Sequence, residues 1–504
     1  MINADECSVF KMIVQELKKT KMMSNKRTAD NLTYTLNSKS NFSFHKSEYF
    51  TQRNSDRFTN AALKPAEYLI LTGTFLLMFG AAYLMYELHP YFHEVHLERM
   101  STAWGPIIFR IGLGLTALKV CFLLFILYLY TKYKAIKSVS DDLLPTCTVI
   151  VPAYNEGKLV WETLMSLAAS NYPEEKLQLI SIDDGSKDDT WDWMRKAKET
   201  LGDRLSIYQQ PKNKGKRHAL YRGFKLATGE VFVTVDSDSI VKEDTLRNMV
   251  SPFVLDEKCG AVAGNVRVLN KKNAAIPKML NVSFAFSFEF IRSAQSVLGS
   301  VLCTPGALAA YRRKAVLTCL PQWINQTFMG KVTDIGEDRA MTNMILKQGY
   351  HVLFQRNAHV YTNLPERYKN LYKMFIRWER SNVRENIKMS QFAFTKFREG
   401  STIGPRILLI NQWLRVLTAY PLTLLMIVFM LMHPVFFLTA MLLSILVFSS
   451  IPAYFYARKY NPVESLWAYS YSIFYAFALF WITPYAIATA SRRGWLTRGL
   501  AERA

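Results

Sequence analysis

The sequence predicts an α/β domain, built on a largely parallel sheet, that is inserted between two groups of transmembrane helices. Two observations carry this prediction. The chain has 504 residues, 50% of them hydrophobic, and its longest apolar runs lie before residue 131 and after residue 406. Between these runs, short apolar strands alternate with stretches of helical periodicity, a pattern typical of a parallel sheet covered by helices on both faces.

The composition excludes several classes of protein. The hydrophobic content is too high for an intrinsically disordered chain. Six cysteines are too few for a disulfide scaffold and show no zinc-ligand spacing, so we interpret them as reduced packing residues. The net charge of +22, from 62 basic and 40 acidic residues, fits nucleic acid, anionic lipid or an anionic substrate. Nucleic acid is the least favoured partner, because no recognition motif accompanies the charge.

Five apolar runs have about the 20 residues that a membrane-spanning helix needs. Two precede the central region and three follow it, at 66–88, 105–130, 407–432, 435–456 and 466–489. The second run carries Arg110 and Lys119, and charged residues at such a depth usually face protein or water. Residues 1–65, which are rich in Asn, Ser, Thr and Lys, predict a mobile basic tail.

The distribution of lysine and arginine predicts the orientation of these runs. The segments before residue 66 and after residue 130 are basic, whereas the loop 88–104 carries only Arg99, so the tail and the central region are predicted to be cytosolic. Five spans would place the basic residues of 492–504 outside, against the same rule. We therefore predict a cytosolic C-terminus, with an external one as the alternative. One C-terminal run would then be broken into a re-entrant pair, with Pro421, Pro452 and Pro484 as the candidate break points.

Three predicted strands of the central region each end in a polar cluster. The strands read TVIVPAY, LQLISIDDGS and EVFVTVDSDS, and the clusters are Asn155–Glu156, Asp183–Asp184 and Asp236–Asp238. Because ligands of parallel sheets bind at the carboxyl ends of the strands, the three clusters predict one shared site.

Asp236 and Asp238 are separated by one residue at a strand end, so their side chains share a face. Two carboxylates held there repel each other unless a cation or a donor lies between them. Mg²⁺ is typically bound by one or two carboxylates plus substrate phosphates. The pair therefore predicts a divalent-metal site, although acidic loop residues without such a role are common.

A basic loop and two later motifs complete the candidate site. The segment Asn213–His218 places three cations beside a glycine, which suits a diphosphate, with a solvated charge run as the alternative. Glu337 and Asp338 precede a predicted helix, where an acid can equally be an N-cap. Arg377 and Trp378 lie in an amphipathic basic-aromatic stretch that predicts an interfacial helix.

Seven motifs occur in order and are framed by the apolar runs: VPAYNEG, DDGS, NKGKRHAL, DSD, PGALAAYRR, GEDR and RW. In this order they resemble the membrane-embedded processive glycosyltransferases of family 2, with hyaluronan synthases most similar and chitin-oligosaccharide synthases next. The stretches GNVRVLN and IRSAQSVLGS and the late motif GWLTR at 494–498 add to the resemblance. It implies a GT-A-like cytosolic domain with a mixed, mostly parallel sheet.

The resemblance and the apolar runs together imply six consecutive parts. They are a basic cytosolic tail (1–65), two transmembrane helices (66–130), a glycosyltransferase domain (145–368), interfacial helices with the RW motif (369–403), a C-terminal transmembrane bundle (404–491) and a basic tail (492–504).

The resemblance also implies a role for each matching residue. Tyr154, Glu156 and Asp184 would line the nucleoside pocket, with Asp183 adjacent, and Lys216 would bind the diphosphate. These five residues are the expected donor-binding residues on the side of the nucleoside.

At the reacting end, Asp238 with Asp236 would hold Mg²⁺ or Mn²⁺ against the phosphates. Asp338, with Glu337 beside it, would be the general base that takes the proton from the acceptor hydroxyl. Arg377 and Trp378 would close over the leaving diphosphate and the acceptor.

Three departures from the family pattern concern single residues. Met374 stands where the family usually has Gln, three residues before the Arg of its QxxRW motif. Cys303 lies three residues before Gly306 instead of the family's two, so no role is carried onto it. Leu496 replaces the usual Gly of the late motif.

The resemblance implies a processive, inverting glycosyltransferase that polymerises sugars from UDP-sugar donors and exports the chain across a plasma or bacterial inner membrane. The expected partners are a nucleotide-sugar, the growing polysaccharide, membrane lipid and, as an option, accessory export proteins, but no nucleic acid. Gln412, Trp413 and Arg415 would line a wet path, unless Arg415 pairs with a neighbouring helix. The alternatives are a β-glucan or mannuronan made from GDP-mannuronate, or an inactive scaffold or transport subunit, against which the retained acids argue.

Overall fold

The structure is a computed structural model, and it describes residues 63–492. The predicted tail 1–65 lies outside this range except for its last three residues. The predicted tail 492–504 lies outside it except for Arg492, so the GWLTR motif with Leu496 also falls outside the described residues.

Two long apolar helices precede the central domain and are joined by a shorter one. Helix α1 spans Pro65–Glu87, α2 spans His89–Ser101 and α3 spans Gly105–Lys132. Each has a proline in its first two positions, where a backbone N–H has no partner within the helix and its absence costs no hydrogen bond. Helices α1 and α3 are long and apolar enough to cross a membrane, as predicted.

The central domain is built on an eight-stranded sheet with the strand order β3-β2-β1-β4-β7-β6-β10-β5. A separate hairpin contains β8 and β9. In chain order the strands are β1 Cys147–Ala153, β2 Leu177–Asp183, β3 Leu205–Gln209, β4 Val231–Val235, β5 Ser239–Val241, β6 Cys259–Val268, β7 Leu308–Arg312, β8 Thr327–Phe328, β9 Lys331–Val332 and β10 His351–Thr362.

The sheet is mixed and mostly parallel, so this prediction is confirmed. Strands β3, β2, β1 and β4 run parallel, as do β6 and β10. Strand β7 lies antiparallel between β4 and β6, and β5 lies antiparallel at the edge beside β10. Strands β1 and β4 are buried along their whole length, because helices cover both faces of the sheet and their runs of valine and isoleucine suit that position.

The helices of the central domain connect these strands and cover the sheet. They are α4 Lys158–Ala168, α5 Thr190–Leu201, α6 Lys216–Leu226, α7 Thr245–Leu255, α8 Ala275–Phe284, α9 Arg292–Val297, α10 Arg313–Ile324 and α11 Glu337–Lys347, with short 3₁₀ turns at Glu174–Lys176 and Gly202–Arg204. Between α8 and α9 the chain forms a π-helix, Ala285–Ile291, which we call the π segment.

One long helix, α12 at Tyr368–Ala393, follows the sheet. The sequence predicted interfacial helices over 369–403, and the structure has a single amphipathic helix for most of that range. Its buried residues include Leu371, Met374, Met389 and Phe392, spaced so that they lie on one face of the helix.

The C-terminal region contains two long apolar helices and a bent set of short ones. Helix α13 spans Ile403–Met432 and α14 spans Pro434–Lys459. The bent set contains α15 Pro462–Ser465, α16 Trp467–Phe474, a π-helix Tyr475–Leu479 and α17 Ile482–Ala488. Within residues 63–492, four helices can cross a membrane, or up to five if the bent set, with its 44° bend, is one span.

The break in the last apolar run lies at residues 480–481, three residues before Pro484. Pro421 and Pro452, the other candidate break points, lie inside the unbroken helices α13 and α14, so those two predictions are wrong. Proline is tolerated inside transmembrane helices because neighbouring groups satisfy the backbone carbonyls that it frees.

The apolar core of the central domain continues into the membrane helices. Ile126 and Leu129 of α3 and Leu408 and Leu409 of α13 belong to the same buried cluster as Phe354 of β10. The ends of two membrane-spanning helices are therefore anchored in the domain that carries the polar clusters.

Candidate active site

The carboxyl ends of β1, β2 and β4 open into one cavity of about 730 Å³. The clusters after β2 and β4 contribute Asp184, Asp236 and Asp238 to it, whereas Asn155 and Glu156 of the cluster after β1 do not line it. Its walls come from the central domain, from the π segment, from α12 and from the membrane helix α13. Of the residues predicted for the site, nine line it: Tyr154, Asp184, Lys216, Asp236, Asp238, Glu337, Asp338, Arg377 and Trp378. The structure thus brings together motifs that are more than 200 residues apart in the chain.

Asp184, the residue after β2, is held by donors of the protein itself. Its carboxylate accepts hydrogen bonds from Gln210 Nε2 at 2.9 Å and from the backbone N–H groups of Lys214 and Gly215 at 3.1 and 2.7 Å. Burial raises the pKa of Asp184 to about 6, against the opposing effect of the two backbone N–H groups. Two backbone N–H groups of the basic loop therefore help to hold this acid in place.

A glycine makes this arrangement sterically feasible. Gly185 has a φ of +72°, and a Cβ there would lie 2.8 Å from the backbone of Lys212. Only glycine permits the basic loop to approach the end of β2 so closely.

Asp183 and Glu156, two predicted donor-binding residues, do not line the cavity. Asp183 is fully buried and accepts bonds from Ser186 N at 3.1 Å and Gln209 Nε2 at 2.9 Å, so it holds the turn that carries Asp184. Glu156 lies in the loop after β1, where its N–H donates to the hydroxyl of Thr190 at 2.8 Å.

Lys216, the first residue of α6, lies among the acids of the cavity. Its ammonium group donates to Asp236 and lies 3.4 Å from Glu337 Oε1. Burial lowers the pKa of Lys216, but Asp236 and Glu337 raise it more, so its pKa is above the usual value and the charge is retained. A Cβ on Gly306 would lie 2.5 Å from Nζ of this lysine, so glycine leaves it room.

Asp338, in the first turn of α11, is positioned by two backbone N–H groups and a thiol. One carboxylate oxygen accepts from Gly306 N at 3.2 Å and lies 3.7 Å from Cys303 Sγ, and the other accepts from Arg339 N at 2.7 Å. Burial and the neighbouring Glu337 raise the pKa of Asp338, and Lys216 opposes the rise. A half-buried acid with a raised pKa at a cavity wall suits a general base.

Asp236 and Asp238 both line the cavity at the end of β4. Thr362 and Ser239 each donate a hydroxyl to Asp238 Oδ1 at 3.3 Å. No group of three or more His, Cys, Asp or Glu side chains within 63–492 could hold a metal ion by itself. Two carboxylates facing a cavity nevertheless fit Mg²⁺ or Mn²⁺, which take their other ligands from phosphates and water.

Trp378 and Arg377 lie on α12 at the opposite wall, with Met374 one turn earlier. The ring of Trp378 is 37% exposed and packs 5.6 Å from Phe375 and 6.2 Å from Phe284. A partly exposed indole at the cavity wall offers an apolar face to a ring of a bound molecule.

One set of cavity residues was missed by the sequence analysis as part of the site. Phe284, Phe288 and Arg292 come from the π segment and its ends, and the Arg292 guanidinium lies 3.7 Å from the centre of the Phe288 ring. Hydrophobic periodicity does not reveal a π-helix, so the sequence carries no signal for this wall, although IRSAQSVLGS includes Arg292.

Of the three residues predicted to line a wet path through the membrane, Gln412 and Arg415 line the cavity from α13. Trp413 does not line it, and its indole N–H donates to Ser390 Oγ at 2.8 Å. Arg415 also forms an ion pair with Glu379 of α12 at 2.9 Å, which is the alternative raised for it, and the wet path stays a prediction.

Comparison with known proteins identifies the central domain. Residues 145–381 match the model of the family described as glycosyltransferase like family 2. An N-acetylglucosaminyltransferase of Rhizobium meliloti is 33% identical over 50% of this chain and 59% of the relative. A hyaluronan synthase of Streptococcus pyogenes is 31% identical over 47% of this chain and 57% of the relative.

Among solved structures, a mannosyltransferase of Pyrobaculum calidifontis, in complex with GDP-Man and Mn²⁺, aligns with a TM-score of 0.47 at 20% identity. The alignment covers 82% of this chain and 99% of that chain. The chain spans 59% and 55% of the length of the first two curated relatives that it matches. The family match places a family 2 glycosyltransferase domain at residues 145–381. The predicted resemblance to hyaluronan and chitin-oligosaccharide synthases is confirmed.

Proposed function

Because residues 145–381 form a family 2 glycosyltransferase domain, we propose that the chain is a processive, inverting glycosyltransferase. It polymerises sugars from UDP-sugar donors into a hyaluronan- or chitin-like β-linked polysaccharide and exports the product. The observation that carries this proposal is the single cavity, which holds the acidic cluster and is also lined by Gln412 and Arg415 of a membrane-spanning helix.

Donor binding begins at Asp184 and Tyr154, which lie together at the carboxyl ends of β1 and β2. The Asp184 carboxylate, fixed by Gln210 and by two backbone N–H groups, still has lone pairs that can accept from the amide N–H of a nucleobase. Tyr154 offers a ring for stacking on the same base. These contacts select a nucleotide and leave the choice of sugar to the rest of the cavity.

Transfer takes place at Asp338. Its carboxylate removes the proton from the acceptor hydroxyl as that oxygen attacks the anomeric carbon, while the bond to the diphosphate breaks and the electron pair leaves with the diphosphate. Direct displacement inverts the anomeric centre, so an α-linked donor gives a β-linkage. Base catalysis of this kind typically contributes ~10²–10⁴-fold.

Asp238 and Asp236 would hold Mg²⁺ or Mn²⁺ beside the donor diphosphate, and Lys216 would bind the same phosphates. The metal ion would supply electrostatic stabilisation of the leaving diphosphate. Lys216 already lies between Asp236 and Glu337, so its charge faces the place where the negative charge develops. Arg377 supplies a second cation from the opposite wall.

The acceptor end of the polymer would occupy the side of the cavity formed by Trp378, Phe284 and α13. Trp378 and Phe284 present apolar ring faces, and Gln412 and Arg415 present polar groups where α13 leaves the central domain. A sugar chain that grows at Asp338 can therefore move directly toward the membrane helices, as processive synthesis and export both require.

The bent C-terminal set supports a cytosolic C-terminus. At its start, Glu464 accepts from Lys271 of the central domain at 3.0 Å, and near its end Thr489 Oγ1 accepts from Arg380 Nε of α12 at 3.0 Å. Between these points, Ser470 contacts Thr74 within α1 at 2.9 Å. The set therefore starts and ends against the catalytic domain and reaches into the bundle between them, as a re-entrant segment does.

With four full spans, the catalytic domain and Arg492 lie on the same side of the membrane. We assign that side to the cytosol of a bacterial cell, where sugar nucleotides are made, and the spans to the plasma (inner) membrane. This topology removes the conflict between five spans and the basic residues near the C-terminus.

The test is a panel of radiolabelled sugar nucleotides supplied to the purified full chain in lipid nanodiscs with Mg²⁺ or Mn²⁺. The expected result is a high-mass polymer from UDP-N-acetylglucosamine, alone or with UDP-glucuronate, that digestion with linkage-specific hydrolases identifies. Polymer from GDP-mannuronate or UDP-glucose alone would replace the donor assignment. Failure of every donor to bind, measured by calorimetry, would contradict the proposed activity.

A further inference from the structure

A buried carboxylate that the transfer chemistry does not use lies on the π segment. Glu289 is 1% exposed, and it accepts hydrogen bonds from Asn265 Nδ2 and Arg267 Nη1 of β6, both at 3.2 Å. Lys459 and Tyr460, at the end of the membrane-spanning helix α14, donate to the same carboxylate. We call these five residues the Glu289 junction, because the sheet, the π segment and a membrane helix meet there.

The neighbours of the junction residues in the chain line the cavity. Val266, between Asn265 and Arg267, lines it, because adjacent residues of a strand point to opposite faces. Along the π segment, Phe288 precedes Glu289 and Arg292 follows three residues later, and both line the cavity. A shift of the junction therefore shifts the acceptor wall of the cavity.

The other face of the π segment packs on two membrane-spanning helices. The ring of Phe290 lies 5.0 Å from Tyr130 of α3 and 5.7 Å from Phe455 of α14. Phe286 packs on the same Phe455 at 5.9 Å. The π segment is thus a thin wall between the cavity and the bundle, and single π turns of this kind are frequent at functional sites.

Charge makes the junction sensitive to the loss of Glu289. The Glu289 carboxylate is the common acceptor for two cations, Arg267 and Lys459, and the Arg267 guanidinium also lies 4.1 Å from the centre of the Tyr460 ring. Removing one partner of a buried ionic group leaves the others uncompensated, and the elements that carry them then move apart.

We propose that Glu289 is a positioning residue for the acceptor saccharide. By joining the π segment to the cytosolic end of α14, it holds Phe288 and Arg292 opposite Asp338, so that the acceptor hydroxyl lies in line with the anomeric carbon. The inference rests on the proposed function. It adds that the end of a membrane span sets the geometry of sugar transfer.

The test compares two products of the same reaction, UDP released and sugar incorporated, for the full chain in nanodiscs. In Glu289→Gln the sugar incorporated falls about tenfold while the donor KM stays within about twofold, because donor contacts are unchanged. UDP release falls less, since water replaces a badly placed acceptor, so the ratio of UDP released to sugar incorporated rises several-fold.

Glu464→Gln is the matched control. Glu464 also binds a lysine and a tyrosine near the cytosolic end of α14, Lys271 at 3.0 Å and Tyr456 at 2.6 Å, but it does not line the cavity. Its loss lowers the melting temperature and leaves the product ratio at the wild-type value. If Glu289→Gln does not fold, Tyr460→Phe removes one donor only, and the expected rise in the ratio is about twofold to threefold.

In the double variant Glu289→Gln with Lys459→Met the join to α14 is still lost and Arg267 stays uncompensated, so the product ratio stays raised. A product ratio that is unchanged in both Glu289→Gln and Tyr460→Phe would overturn the positioning role. A wild-type protein that makes no polymer from any donor would instead contradict the proposed function, and this inference with it.

Discussion

The carboxylates at the two ends of the cavity have different kinds of bonding partners. At the nucleoside end, Asp184 accepts three hydrogen bonds from the side chain of Gln210 and from the backbone of the basic loop. At the transfer end lie four acids, Asp236, Asp238, Glu337 and Asp338. Lys216 is the only lysine among the described residues that line the cavity, and it pairs with Asp236 and Glu337.

The difference indicates what each end does. At the nucleoside end, Asp184 is already held by three hydrogen bonds without a ligand, so a nucleotide can be recognised there with little rearrangement. The transfer end combines acids with cations. Lys216 and four arginines, Arg292, Arg339, Arg377 and Arg415, line the same cavity, where a divalent cation and a charged donor would bind together. Binding and catalysis should therefore respond differently to substitution, and three predictions test that separation.

The largest effect is expected for Asp338→Asn, which keeps the size of the side chain but removes the base. We expect the rate of sugar incorporation at saturating donor to fall by ~10²–10⁴-fold, with the donor KM nearly unchanged. The measurement is a time course of labelled sugar entering polymer. Asp334→Asn, in the same loop but outside the cavity, should stay within about threefold of wild type, and full activity of Asp338→Asn would contradict the base assignment.

A smaller effect is expected for Lys216→Met, which leaves Asp236 and Glu337 without their shared cation. We expect kcat/KM for the donor to fall by about 10²-fold, because the lysine faces both the bound phosphates and the charge that develops on them. Lys212→Met, in the exposed part of the same loop, is the control. Equal losses in the two variants would show that the loop acts through its net charge alone.

The smallest effect concerns Asp184 and appears as a pH dependence. Burial raises the pKa of this carboxyl to about 6, so the group is protonated below that pH and loses acceptor capacity for the nucleobase. The donor KM should therefore rise as the pH falls through 6. In Asp184→Asn the KM should be about tenfold higher and independent of pH in this range, whereas Asp203→Asn, on the surface, keeps the wild-type profile. A wild-type KM that is flat from pH 5 to 7 would contradict the role of Asp184.

The strands and the position of the site could be predicted from the sequence. Strands β1, β2 and β4 are buried runs rich in branched residues. Tyr154, Asp184, Asp236 and Asp238, which follow these strands, lie together because parallel strands share an edge. Asp183 and Asp184 could not be told apart in this way, because adjacent residues at a strand end point in opposite directions and only the fold shows which one faces the cavity.

The walls supplied by the membrane side were harder to predict. The π segment contains an ordinary aromatic-rich run, and its cavity face arises only because Glu289 and the two phenylalanines pack on α3 and α14. Likewise, the bend of the last apolar set lies at residues 480–481, whereas the prolines of α13 and α14 are accommodated inside unbroken helices. Tertiary contacts decide both features, and the local sequence does not record them.

The central claim is that one cavity both makes the polymer and passes it to the membrane bundle. The most direct test uses proteoliposomes with the catalytic domain facing outward, supplied with labelled UDP-sugars in the external medium and then treated with a polysaccharide hydrolase. We predict that most of the labelled polymer is protected inside the vesicles until detergent is added. Polymer that forms at the normal rate but is fully digested without detergent would contradict the claim.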